Sequence, residues 1–143
     1  MKLIVAILVF IFNLTLSAQS NSFAGEYTRS LSEEGKHTID YKLTLNPDGT
    51  FLFHSYQKIQ DSTPPEINTY GKGKWTSKDN MITFTADKKE DFDEKHTLDF
   101  NNSVARFSGK NPRDKSDKVV QTKLTFLESK IFWMKRLDVF KFN

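Results

Sequence analysis

A turn sequence joins two alternating runs in the stretch Tyr41-Lys-Leu-Thr-Leu-Asn-Pro-Asp-Gly-Thr-Phe-Leu-Phe53. Pro47 fixes φ at the first corner of a type I turn, and Asp48 suits the second corner. Gly49 is able to take the positive φ that closes a bulged, three-residue hairpin loop. The stretch therefore predicts a β-hairpin.

The same turn predicts the register of this hairpin. With Asn46 opposite Thr50, one face of the hairpin becomes apolar and the other becomes polar. The polar face carries Lys42, Thr44 and His54. The apolar face carries three cross-strand pairs, which are Leu45 with Phe51, Leu43 with Phe53, and Tyr41 with Ser55.

Alternating runs bounded by turn residues recur along the chain and predict further short strands. Polar connections separate them at 61–66, 87–94 and 109–117, and no window keeps a helical period. Around the central hairpin, strands are expected at 23–29, 67–76, 81–86, 96–100, 104–108, 118–127, 131–136 and 139–142.

Short strands joined in sequence favour an antiparallel up-and-down meander, and closing the meander into a barrel removes its exposed edges. The 13 Phe, four Tyr and two Trp residues supply large side chains to fill or line such a barrel. We therefore predict an all-β fold with eight to ten strands closed into one barrel.

The first residues have the pattern of a secretory signal peptide. Met1-Lys2 is followed by an apolar run from Leu3 to Leu16 and then by small residues around Ala18. The run is shorter than the roughly 20 residues that span a bilayer as a helix, which disfavours a retained anchor. We predict a signal peptide at 1–18, with cleavage after Ser20 as the alternative, and one domain at 19–143 that is secreted or periplasmic.

Composition excludes several classes of function. The chain has no cysteine, so it contains no disulfide, no cysteine-based zinc site and no thiol nucleophile. The net charge is +3, and basic and acidic residues are interleaved, as in Lys88-Lys89-Glu90-Asp91. Because no stripe of one sign exists to track phosphates, we expect no nucleic-acid partner.

Residue types suited to catalysis or metal binding do not form a recognisable pattern. His37, His54 and His96 are the three histidines, and none has the spacing of a metal site. His96 alternates with Leu98 and Phe100, so it either points into the barrel to orient a ligand or is a hydrogen-bonded core histidine. We predict a chain that is not an enzyme, with no metal site and no cofactor.

Three motifs resemble the small lipocalin-like β-barrel domains of secreted bacterial proteins. They are Gly25-Glu26-Tyr27, the Leu-Asn-Pro-Asp-Gly-Thr-Phe hairpin at 45–51, and Gly73-Lys74-Trp75. The resemblance implies an up-and-down barrel, an apolar ligand or none, and no catalytic residues. In lipocalins a tryptophan takes the place of Tyr27 and an arginine packs over it, which makes Arg136 the candidate partner of Tyr27.

Two functions remain open at this point. One is a monomeric binding protein that holds a small apolar or amphipathic molecule in the barrel. The other is a filled barrel that acts as an interaction or inhibitor module through Pro64-Pro65 and the loops at 87–94 and 109–117. Gly25, Gly49 and Arg136 are the candidate structural residues. The side chains expected to line the interior and contact a ligand are Tyr27, Tyr41, Phe53, Trp75, Phe84 and His96.

Overall fold

The fold is a closed antiparallel barrel of eight strands, and the structure, a computed structural model, describes residues 22–143. Each strand pairs with the next, and the last pairs with the first. The predicted all-β meander is confirmed, while the predicted signal peptide at 1–18 lies outside the described residues. The strands are β1 (Gly25–Glu33), β2 (His37–Leu45), β3 (Thr50–Ile59), β4 (Glu66–Lys78), β5 (Met81–Thr85), β6 (Ser103–Ser108), β7 (Lys123–Glu128) and β8 (Asp138–Lys141).

The central hairpin has the predicted register. Leu45 lies opposite Phe51 and Leu43 opposite Phe53, and all four side chains are buried. Gly49 has a φ of 88°, as the bulged loop requires. The turn residues and the alternation of apolar and polar residues lie in the same short stretch, and both favour the same register between β2 and β3.

The hairpin turn is held from inside and from the neighbouring strand. The Asp48 carboxylate accepts hydrogen bonds from the Thr50 hydroxyl at 2.6 Å and the Thr50 backbone N–H at 2.8 Å. These two bonds lower the pKa of Asp48. Trp75 on β4 donates its indole N–H to the Asn46 carbonyl at 3.0 Å. This hydrogen bond joins the turn to strand β4 in the wall of the barrel.

The barrel closes between β1 and β8, but without the predicted arginine contact. Tyr27 lies opposite Lys141, and Thr28 lies opposite Phe140. The cation over the Tyr27 ring is the Lys141 ammonium, 5.9 Å from the ring centroid. The prediction for Arg136 is wrong, because this exposed residue lies in the turn before β8 and not in a strand beside Tyr27.

The segment 131–136, predicted as a strand, forms turns instead. Met134 donates its backbone N–H to the Ile131 carbonyl at 3.0 Å, and Leu137 donates to the Met134 carbonyl at 2.9 Å. These three side chains are buried and lie three residues apart, which is the spacing of helical turns and not of a strand. The segment crosses one end of the barrel with its apolar side inward.

Two other expected strands are also corrected. Residues 96–100 form no strand, and a single parallel bridge joins His96 to Tyr70 on β4. Residues 118–122 are not part of a strand either, because Lys123 already lies opposite Ser108, the last residue of β6. Strand β6 does not extend past Ser108, so on that side residues 118–122 have no neighbouring strand with which to form backbone hydrogen bonds.

The two ends of the barrel differ in how far their strands reach. Strands β1 to β4 have nine to 13 residues, whereas β5 to β8 have four to six. The first four strands extend beyond the others at the end that carries the β1–β2 turn. We call this the open end, and the end that carries the turn at 46–49 the closed end. Part of the inner face of β1 to β4 is therefore uncovered at the open end.

Candidate functional site at the open end

Aromatic rings fill the middle of the barrel. Phe100, which comes from the β5–β6 connection, lies 4.9 Å from Phe51 and 5.1 Å from Phe53 between ring centroids. It also contacts Phe84 and Phe126, at 5.8 and 6.5 Å. Edge-on and tilted ring pairs at these distances are favourable contacts of a packed core. Around Phe100, these side chains occupy the space that an enclosed ligand would need.

Five of the six side chains proposed to line the interior are buried there. They are Tyr27, Tyr41, Phe53, Trp75 and Phe84. Tyr27 donates its hydroxyl to the Phe23 carbonyl at 2.6 Å, and its burial raises its pKa strongly. Phe23 in turn packs edge-on against Phe107 at 4.9 Å, so the closed end is sealed by side chains.

His96, the sixth candidate, lies on the outer surface. Its ring contacts Tyr70 at 6.1 Å, and Tyr70 stacks on His54 at 4.5 Å. His54 is on the polar face of β3, opposite in direction to the buried Phe53 and Ser55. The His96 imidazole also hydrogen bonds to the Asp93 carboxylate at 3.0 Å. The expectation that His96 points into the barrel is therefore wrong.

A row of polar side chains crosses the inner face just above the aromatic filling. Arg29 lies opposite Tyr41, Tyr41 lies opposite Ser55, and Ser55 lies opposite Thr69. Each of these four residues lies two positions along its strand from a buried residue that faces inward. Because side chains two residues apart on a strand point to the same face of the sheet, all four positions face inward. We call Arg29, Tyr41, Ser55 and Thr69 the polar row.

Ser55 is the most unusual member of the polar row. Its hydroxyl is buried and has no hydrogen-bond partner in the described residues. Tyr41 is also buried, and burial raises its pKa while the nearby Arg29 guanidinium opposes that shift. Because buried polar groups are nearly always paired, the unpaired Ser55 hydroxyl marks this row as a place where a partner is missing.

Apolar side chains continue the inner face beyond the polar row. Leu31 lies opposite Ile39, Ile39 opposite Gln57, and Gln57 opposite Ile67. Leu31 and Ile67 are exposed, because no part of β5 to β8 covers them. Together with Ile59, three of these side chains line an open groove of about 430 Å³. We call this groove the mouth groove; Leu31, Ser32, Glu33, His37, Ile39, Gln57 and Ile59 line it.

Trp133 covers the boundary between the filled interior and the mouth groove. Its ring stacks on Tyr41 at 5.5 Å and lies 6.1 Å from Phe53. The side chain is only half-buried, and it is carried by the turns at 131–136 and not by a strand. Because it lies at this boundary, the Trp133 ring is expected to move when a molecule enters the mouth groove.

Residues 22–143 hold no group of three or more histidine, aspartate or glutamate side chains arranged to bind a metal ion. In the same part of the chain, no helix is both long and apolar enough to span a membrane.

The sequence reasoning missed the polar row, although its signal was present. The predicted pairing of Tyr41 with Ser55 already placed a hydroxyl on the apolar face. Arg29 on β1 lies opposite Tyr41, and Thr69 on β4 lies opposite Ser55, so these two residues continue the row by one strand on each side. Phe100 was missed as the central plug, because its alternation with Leu98 is typical of a strand.

No known protein family, no curated protein and no solved structure matches this chain.

Proposed function

We propose that this chain is a secreted or periplasmic, lipocalin-like binding protein for a small amphipathic molecule, which it holds in the mouth groove. The observation that supports this most is the contrast along the inner face. The middle of the barrel is packed with its own aromatic rings, whereas in the mouth groove Leu31 is exposed and Ile39 and Ile59 are only partly buried. The proposed location outside the cell depends on the signal-like sequence at 1–18.

The size and lining of the mouth groove fit this role. Small-molecule sites in proteins commonly measure about 300–1,000 Å³ and combine apolar walls with a few polar groups. The groove measures about 430 Å³. Leu31, Ile39 and Ile59 supply the apolar wall, and the Gln57 side chain supplies a hydrogen-bonding group. A molecule with a hydrocarbon part and a polar group would use both.

A matched pair of leucine variants tests this proposal. Leu31 is 40% exposed on the inner face and Leu52 is 51% exposed on the outer face, so replacing either by glutamate should preserve folding. We expect Leu31→Glu to weaken the binding of decanol by about tenfold or more, because the charge lies against the bound hydrocarbon. Leu52→Glu should bind decanol as the wild type does. Isothermal titration calorimetry measures both affinities.

Two results would contradict the proposal. One is that the wild-type protein binds no decanol, and the other is that Leu31→Glu and Leu52→Glu bind it equally. Mass spectrometry of small molecules extracted from the natively purified protein is an independent test, and the proposal predicts that an amphipathic molecule is found.

A second candidate function is a protein-interaction or inhibitor module. The observation that favours it is the exposure of Val119, at 98%, and Phe132, at 90%, in connections at the two ends of the barrel. Exposed apolar side chains in loops are common contact points for partner proteins. A photo-crosslinking residue placed at 119 or 132 should capture a discrete partner in cells, and the same residue at position 52 should not.

A further inference from the structure

The polar row contains two groups whose hydrogen-bonding capacity is not used by the protein. The Ser55 hydroxyl has no partner in the described residues. Within residues 22–143 the Arg29 guanidinium makes one hydrogen bond, to the Asp138 backbone carbonyl at 3.4 Å, and its Cζ atom lies 5.7 Å from the centroid of the Phe140 ring. A guanidinium carries five N–H donors, so most of its capacity at this half-buried position remains free.

The nearest carboxylate does not pair with Arg29. The Asp138 carboxylate instead accepts hydrogen bonds from the Lys123 ammonium at 2.8 Å and from the Thr125 hydroxyl at 2.5 Å. Within residues 22–143, no carboxylate lies within ion-pair distance of Arg29. A guanidinium near the Tyr41 side chain, together with a buried Ser55 hydroxyl that has no partner in residues 22–143, is complementary to an anion.

We propose that Arg29, Tyr41 and Ser55 receive the carboxylate of an amphipathic ligand whose hydrocarbon part lies on Leu31, Ile39 and Ile59. This inference rests on the proposed function and adds the chemical class of the ligand. A carboxylate accepts several hydrogen bonds and pairs with a guanidinium through both oxygens. An alcohol would leave most donors of Arg29 unused, and an ammonium group would be repelled by its charge.

The bound carboxylate has to pass Trp133. The Ser55 hydroxyl is shielded from solvent, and Trp133 lies over its cross-strand neighbour Tyr41 and its chain neighbour Phe53. Entry of the carboxylate therefore displaces the Trp133 ring from Tyr41. In a Trp75→Phe variant, Trp133 is the tryptophan that remains, so its displacement should change the fluorescence of the protein.

Calorimetric titrations of the purified protein with decanoate and with decanol, at neutral pH, test the inference. The two probes share a hydrocarbon chain and differ in the carboxylate. We expect decanoate to bind about tenfold more tightly, as one charge-assisted hydrogen-bonded pair provides. Arg29→Met should remove this preference by weakening decanoate binding about tenfold more than decanol binding. Arg106→Met, at an exposed position on the outer face of β6, is the matched control and should keep the preference.

Ser55→Ala provides a second, milder variant, because it deletes one buried oxygen that makes no hydrogen bond within residues 22–143. It should weaken decanoate binding several-fold and decanol binding less. Equal binding of the two probes, or a preference that survives in both Arg29→Met and Ser55→Ala, would overturn the inference while leaving the proposed function standing. If neither probe binds, both are wrong.

Discussion

At the scale of single residues, the packed interior depends on a glycine that makes room for a ring. A Cβ atom at Gly71 would lie 2.6 Å from the Phe100 ring, closer than side chains normally approach. Phe100 is fully buried among four other phenylalanines, so its ring has nowhere to shift. The Phe100 ring can therefore occupy its position only because residue 71 has no side chain.

Gly71→Ala should therefore destabilise the protein. We expect a loss of about 1–3 kcal/mol in the free energy of unfolding, the usual cost of overpacking a core. Denaturant unfolding measures the change. In a Phe100→Leu background the same substitution should cost clearly less, because the smaller side chain vacates the contact. Purely additive effects of the two substitutions would contradict the close approach.

Two buried serines give a second prediction at this scale. Ser55 has no hydrogen-bond partner among residues 22–143, whereas the equally buried Ser103 bonds to the Ser129 hydroxyl at 2.9 Å. Ser55→Ala should raise the free energy of unfolding by about 1 kcal/mol in the absence of ligand, because it removes an unpaired buried polar group. Ser103→Ala should lower it by a similar amount. Equal losses in the two variants would show that the Ser55 hydroxyl is paired.

At the scale of elements, the segment that follows the β5–β6 charged turn is fixed by one carboxylate. Asp93 accepts hydrogen bonds from the backbone N–H groups of His96 at 2.7 Å and Lys95 at 2.9 Å, and it also bonds to the His96 ring. The bonds from His96 are the main cause of the strongly lowered pKa of Asp93. This arrangement holds residues 95–98 against β4, where Thr97 and Leu98 donate to the Tyr70 carbonyl.

The lowered pKa predicts an acid-sensitive contribution to stability. Because the pKa in the folded protein lies below the unfolded value of about 3.9, Asp93 contributes stability above that value, and the contribution is lost as pH falls through the acid range below about 4. Asp93→Asn should therefore flatten the pH dependence of the free energy of unfolding in this range. Asp61→Asn, in the β3–β4 loop, controls for the loss of one surface charge. Identical pH profiles for wild type and Asp93→Asn would contradict the assignment.

Elements governed by local chemistry could be predicted from the sequence, and elements governed by distant packing could not. The central hairpin was predicted to the residue pair, because Pro47, Asp48 and Gly49 specify the turn within the same stretch. Alternation at 96–100 indicated burial correctly for Phe100, but burial does not require a neighbouring strand. At 131–136, the three-residue spacing of Ile131 and Met134 was the available signal for turns.

At the scale of the whole molecule, the barrel is asymmetric, and this asymmetry creates the candidate site. Long β1 to β4 and short β5 to β8 leave an inner face that is covered near the closed end and bare near the open end. Sequence alternation predicted the barrel and five of its interior aromatic residues. It did not predict where the filling stops, because that depends on Phe100 and Trp133, which reach the interior from connections between strands.

If the proposed function is right, ligands bind at the open end and not within the filled barrel. Titration of isotope-labelled protein with decanoate, followed by amide nuclear magnetic resonance shifts, distinguishes the two locations. We predict saturable shifts at inner-face residues of the open end, such as Leu31, Ile39 and Gln57, with Phe84 and Phe126 unchanged. Shifts centred on Phe84 and Phe126, or confined to the loop at 109–122, would contradict it.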